Sequence, residues 1–190
     1  MAFPISRRNQ VKTQNIFTIT VISLILTACV APAPRPDLKD PQSWIGSIIV
    51  KRDDFKKQTN YQAPLIGRRD NDGRDHQALL RAWKPDGGSV TYQIYVQDEY
   101  HGERRLYESA YNSNGEKLPL TRIDYNSDCA RMVGGGSYCW HIEKVGIIVT
   151  REYLVDHQQS GITFRVYGPG GQETFNIIPA YITAFLSVAN

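Results

Sequence analysis

Apolar and polar residues alternate with a period of two over much of the chain beyond residue 44, the spacing of strands that bury one face. The clearest case is "VTYQIYV" (90–96). Val90, Tyr92, Ile94 and Val96 fall on one face, and Thr91, Gln93, Tyr95 and then Gln97 on the other. "KPDGG" (84–88) is a turn signal just before it, which predicts a hairpin of "HQALLRAW" with "SVTYQIYVQDEY". A second hairpin joins "RRLYESAY" to "KLPLTRIDY" around "NSNGE", where Asn114-Gly115 suits positive φ. A third joins "GITFRVY" to "ETFNII" around "GPGGQ" (168–172). "WIGSIIVKR" (44–52) and "CWHIEKVGIIVT" (139–150) read as further strands. Most of the 11 tyrosines lie inside these runs, which favours strand over helix. Helical spacing is confined to "REYLVDHQ" (151–158) and "AYITAFLSV" (180–188), the latter opened by Pro179. Residues 56–75 have no clean period and predict a long loop. The expected fold is mainly β: an antiparallel sheet curled into a sandwich or partly open barrel, with one or two short helices near the C-terminus.

The front of the chain follows a different rule. A basic leader, "SRRNQVK", precedes the apolar run Ile16–Ala28. That run is too short for the roughly 20 residues a membrane-spanning helix needs, and a charged leader with a short apolar core reads as an export signal. Leu26-Thr27-Ala28-Cys29 at its end resembles the lipobox of bacterial lipoproteins. The resemblance implies cleavage after residue 28, diacylglyceryl and acyl (palmitate-type) chains on Cys29, and anchorage to a bacterial membrane. Val30 in place of Asp after the cysteine implies the outer membrane, with the domain in the periplasm or at the cell surface. Two or more acyl chains hold a protein stably, whereas one gives only marginal attachment. Ser6, Arg7, Arg8 and Lys12 also resemble a twin-arginine signal, but Gln10 stands where that motif has Phe, so the general secretory route is expected. The prolines at 32, 34, 36 and 41 then predict a semi-rigid extended spacer. The organisation expected is a signal over 1–28, a lipidated cysteine and tether over 29–43, and one globular domain over 44–190.

Composition changes this picture little, except in charge. The chain's net +3 resides in Arg7, Arg8 and Lys12; beyond residue 28, 19 basic residues balance the 19 acidic ones. A neutral domain gives no electrostatic ground for a nucleic-acid partner. About 150 residues are enough for a core that folds without metal.

Candidate chemistry centres on "SDCARMVGGGSYCWH" (127–141). With Cys29 committed to lipid, Cys129 and Cys139 are an even pair in an oxidising compartment, across a glycine-rich turn, and a disulfide between them is expected. "DCARMV" followed by His141 faintly resembles the cell-wall cysteine peptidases. It departs at Ala130-Arg131 and in the short interval to the histidine, so no catalytic residue is assigned. "RRDNDGRDH" (68–76) collects acids as a calcium loop does, but Gly73 and Arg74 break the pattern, and a solvated loop is expected. His76, His101, His141 and His157 share no metal-ligand spacing, so neither a metal nor another cofactor is assigned. His141 and Glu143 alternate onto one face as a surface or cross-strand pair, and Trp44, Trp83 and Trp140 read as core or rim.

The expectation is a lipid-anchored, non-enzymatic binding or assembly component of the cell envelope, with the membrane and an envelope protein as its partners. The alternatives are an envelope hydrolase acting on the wall or on glycans, and a small-ligand carrier of β-barrel type.

Overall fold

The computed structural model describes residues 36–131 and 134–190. The expected signal (1–28), Cys29 and the spacer up to residue 35 lie outside the described residues, as do Met132 and Val133 in the glycine-rich turn. Eleven strands are described: β1 Ile49–Asp53, β2 Gln58–Gln62, β3 Ile66–Arg69, β4 Asp75–Pro85, β5 Thr91–His101, β6 Ser109–Asn112, β7 Lys117–Leu118, β8 Leu120–Arg131, β9 Ser137–Val149, β10 Ile162–Gly168 and β11 Gly171–Ile177. Three short helices accompany them: α1 Gln42–Ile45, α2 Arg151–Asp156 and α3 Pro179–Val188. One sheet runs β1-β2-β4-β5-β9-β8 with β3 also on β4; the other runs β11-β10-β6-β7. Every strand pair is antiparallel, and the sheet is not closed into a barrel.

Alternation decides which faces meet. Ala78, Leu80 and Ala82 of β4, Tyr92, Ile94 and Val96 of β5, and Val145, Ile147 and Val149 of β9 form one wall of the core. Ile162, Phe164 and Val166 of β10, with Phe175 and Ile177 of β11, form the facing wall. Tyr181, Ile182, Phe185 and Leu186 of α3 close one end together with Trp44 and Leu154. Pro179 opens α3 at its first turn, where a missing N–H costs nothing. Thr150 caps α2 by accepting from the Tyr153 N–H. At the front of the domain the Asp37 carbonyl accepts from the Trp44 indole N–H (2.9 Å), so residues 37–43 fold locally onto that ring.

The three expected hairpins form, and the expected helices near the C-terminus are α2 and α3. Three segments differ. Residues 56–75 are not a loop: β2 and β3 pair with the two halves of β4. Their polar composition hides the period, because amide and charged side chains occupy both faces of these outlying strands. Between them Pro64 interrupts the ladder. Ala63 N–H donates to the Leu80 carbonyl, Leu80 N–H donates to the Tyr181 hydroxyl (3.1 Å), and that hydroxyl donates to the Pro64 carbonyl (2.8 Å). The segment 44–52 becomes a strand only at Ile49, after α1. Finally, "KLPLTRIDY" divides at Pro119: β7 stays with β6, and β8 crosses to β9 in the other sheet. A residue with no N–H marks the change of sheet.

Candidate functional site

The apolar phase of three neighbouring strands carries charge at one end. On β5 the face of Tyr92, Ile94 and Val96 continues to Asp98, which is 0% exposed. Its cross-strand partners are His76 on β4 and Glu143 on β9, both buried. Two carboxylates opposite each other in a sheet repel, so each requires its own set of donors.

Asp98 accepts from His76 Nδ1 (2.5 Å) through Oδ1, and from Arg105 Nη1 (2.8 Å) and the Tyr107 hydroxyl (2.5 Å) through Oδ2. Arg105 Nη1 also reaches Glu173 Oε2 on β11 (3.3 Å), tying the second sheet to the first. His76 Nε2 faces Asp70 Oδ2 at 3.3 Å, and Asp70 is held by Arg74 Nε at 2.6 Å. Glu143 accepts from the Tyr100 hydroxyl and from two successive backbone N–H groups, Leu106 (2.8 Å) and Tyr107 (3.0 Å). Leu106 has φ +55°, and that turn aims both N–H groups at one carboxylate. Loop 104–107 therefore serves both acids: its backbone satisfies Glu143, and its Arg105 and Tyr107 side chains satisfy Asp98.

The hydrogen bond to Asp98 raises the His76 pKa against the opposing effect of burial, with Asp70 and Glu173 adding to the rise. Burial works to raise the Glu173 pKa, but the Thr174 N–H, Arg68 and His76 hold it below the ordinary carboxylate value. Burial likewise pushes the Asp70 carboxyl up, yet bonds from Arg74 and His76 hold it well below its usual range. Tyr107 is pushed far above its usual value by burial and by Asp98, and Tyr100 by burial and by Glu143.

His76, Asp98 and Glu173 present atoms within 4.8 Å of one another, a spacing that suits a cation. The Arg105 guanidinium already fills that role by bridging both carboxylates. His76 borders a cleft of about 270 Å³ between β3 and β11, walled by Leu38, Ile66, Phe175 and Ile178 with Arg68 at its rim.

Past this network β8 and β9 run on as a projecting hairpin. From Asn126 to Trp140 every described residue except Cys139 is exposed. Cys129 and Cys139 are cross-strand partners with sulfurs 2.15 Å apart, at bonding distance. Tyr138 and Trp140 are 48% and 46% exposed, and both contact His101, whose ring lies 4.4 Å from that of Tyr138 and 5.9 Å from that of Trp140. Beside Trp140 a shallow cleft of about 210 Å³ is lined by Asn126, Ser127, Asp128 and Ile142.

Several expectations are relocated by these positions. His141 and Glu143 share a face, but it is the buried one, and they do not bond each other. His141 Nε2–H donates to the Gly102 carbonyl (2.9 Å) while Nδ1 accepts from the Tyr125 hydroxyl (2.7 Å). The 68–76 segment forms the β3–β4 turn, its acids engaged by Arg69 and Arg74. Trp44 is core, Trp83 is half-buried and Trp140 is exposed. Asp98, Arg105, Tyr107 and Glu173 were not anticipated. The signal for the first was present, since one more step of the alternation from Val96 places Asp98 on the buried face. Compared with protein-family models, characterised proteins and solved structures, the chain matches none.

Proposed function

We propose that the protein is a lipid-anchored component of the bacterial envelope, held through Cys29, that binds a partner rather than turning over a substrate. The observation that carries this reading is the projecting hairpin. Tyr138 and Trp140 stand exposed on a two-stranded extension with no core of its own, ordered by His101 and by the cysteine pair between them. Large aromatics held rigidly in solvent supply contact area at little entropic cost and are enriched at binding hot spots.

An envelope hydrolase is the second reading, and His76 at the wall of the 270 Å³ cleft beside three carboxylates is the observation in its favour. Both ring nitrogens of His76 are already engaged by carboxylates, Nδ1 by Asp98 (2.5 Å) and Nε2 by Asp70 (3.3 Å), which leaves neither free to face a substrate. Binding is therefore the preferred reading.

The test is an affinity pull-down from cross-linked envelope with the full-length protein, Cys29→Ala and Trp140→Ala. A specific partner set that is depleted in both variants is the expected result. The same set in all three samples would remove both the anchor and the hairpin from the account.

A further inference from the structure

The face of the first sheet that turns away from the core carries a charge with no counter-charge. Three arginines among the described residues are not exposed: Arg74, Arg81 and Arg105. Arg74 is paired with Asp70 and Asp72, and Arg105 with Asp98 and Glu173. Arg81, on β4, has no carboxylate partner among the described residues. Its Nε donates to Gln93 Oε1 (2.7 Å), and its guanidinium lies over the Tyr95 ring, 4.7 Å from the centroid. Gln93 is itself buried, and its amide lies across Gly146, in the space a Cβ there would take, so any larger residue at 146 would displace the amide from this position. Two contacts thus fix the guanidinium plane and leave the two terminal nitrogens without a partner among the described residues.

Arg81 lines a groove of about 390 Å³ over the outward faces of the paired strands β2 and β4, together with Lys56, Gln58, Asn60, Gln62 and Trp83. Its lining holds two cations and no acid. Burying a guanidinium without a counter-ion costs free energy, and here burial depresses the Arg81 pKa. A planar fork with both terminal nitrogens open to an acid-free groove matches the bidentate geometry of a carboxylate or a phosphate. The neighbouring amides suit vicinal hydroxyls, and Trp83 offers a flat face for the C–H side of a ring.

We propose that the β2–β4 cleft is an oxyanion-binding subsite, with Arg81 as its binding residue, that takes the acidic group of a charged sugar. It lies toward the other end of the same sheet face from Tyr138 and Trp140, shares no lining residue with that hairpin, and does not depend on how the protein is anchored.

Side-chain NMR of the folded protein tests it, following Arg81 Nε–H and the Trp83 indole N–H during titration with glucuronate, glucose 6-phosphate, inorganic phosphate and neutral glucose, each against sodium chloride at equal ionic strength. The expected result is saturable shifts of both signals with at least one acidic sugar and none with glucose. The glucuronate and phosphate arms tell a carboxylate from a phosphate. Arg81→Gln, with its fold verified by its backbone spectrum, should weaken that binding at least about tenfold, and Arg81→Lys should fall between them because it keeps the charge and loses the fork. Shifts no larger than those from chloride, or binding undiminished in Arg81→Gln, would overturn the assignment.

Discussion

Single side chains settle where this fold has no regular solution of its own. The ladder on β4 breaks between β2 and β3, and the Tyr181 hydroxyl fills the break by accepting from Leu80 N–H and donating to the Pro64 carbonyl. Removing that oxygen leaves a buried donor unmet while the ring and its packing remain. Tyr181→Phe is therefore expected to lose about 1–3 kcal/mol in a urea melt, with the slope of the transition unchanged. Stability equal to wild type would show that water substitutes for the hydroxyl. The sequence contains no sign of this contact, because residues 80 and 181 meet only once α3 has docked. Asp98 is the opposite case. It sits in phase with Tyr92, Ile94 and Val96, as His76 does with Ala78, Leu80 and Ala82, and Glu143 with Val145 and Ile147. Charges in the apolar phase of three strands are readable from the alternation alone. What cannot be read is which donors reach them, since Arg105 and Tyr107 come from a loop whose path depends on Leu106 in a left-handed conformation.

At the scale of elements, hairpins closed by strong turn residues were legible and the outlying strands were not. "KPDGG", "NSNGE" and "GPGGQ" each close the hairpin that local turn chemistry dictates. β2 is strand only by virtue of its ladders with β1 and β4, since "QTNYQ" has no apolar alternation to show. β8 and β9 combine both situations. Up to His141 the inner face of β9 is bound to the core, and beyond it toward the turn the pair stands clear of it. A bridge between Cys129 and Cys139 closes a loop of ten residues' separation, for which chain entropy gives up to about 3 kcal/mol. Because the hairpin end has no core to release, the effect is expected to be mainly local. Cys129→Ser with Cys139→Ser should raise backbone hydrogen exchange from Asn126 to Trp140 while β4 and β5 stay protected. Equal loss of protection in β4 and β5 would mean that the hairpin is part of the global folding unit.

For the molecule as a whole, the buried network makes stability a function of pH. His76 has a raised pKa in the folded protein, so its contribution is complete below its unfolded value of about 6.5 and is lost as pH rises through the higher folded value. Asp70 and Glu173 have lowered folded values, so theirs is present above their unfolded values near 4 and is lost as pH falls below that. The melting temperature is expected to peak between these windows, and His76→Gln should remove the decline on the alkaline side and, because His76 helps hold Asp70 and Glu173 down, make the acid side shallower without abolishing it. An alkaline decline identical in the variant would assign it to other groups. The domain built around this network is neutral, with an exposed aromatic hairpin and an acid-free cleft on the same sheet, and the account of its work rests on its being held at a membrane through Cys29. The envelope partner proposed for the hairpin presumes that address. The intact mass of the protein isolated from membranes tests it most directly. The account predicts a chain beginning at Cys29 and carrying diacylglyceryl and acyl groups. A chain that retains residues 1–28, or one cut elsewhere without lipid, would contradict it.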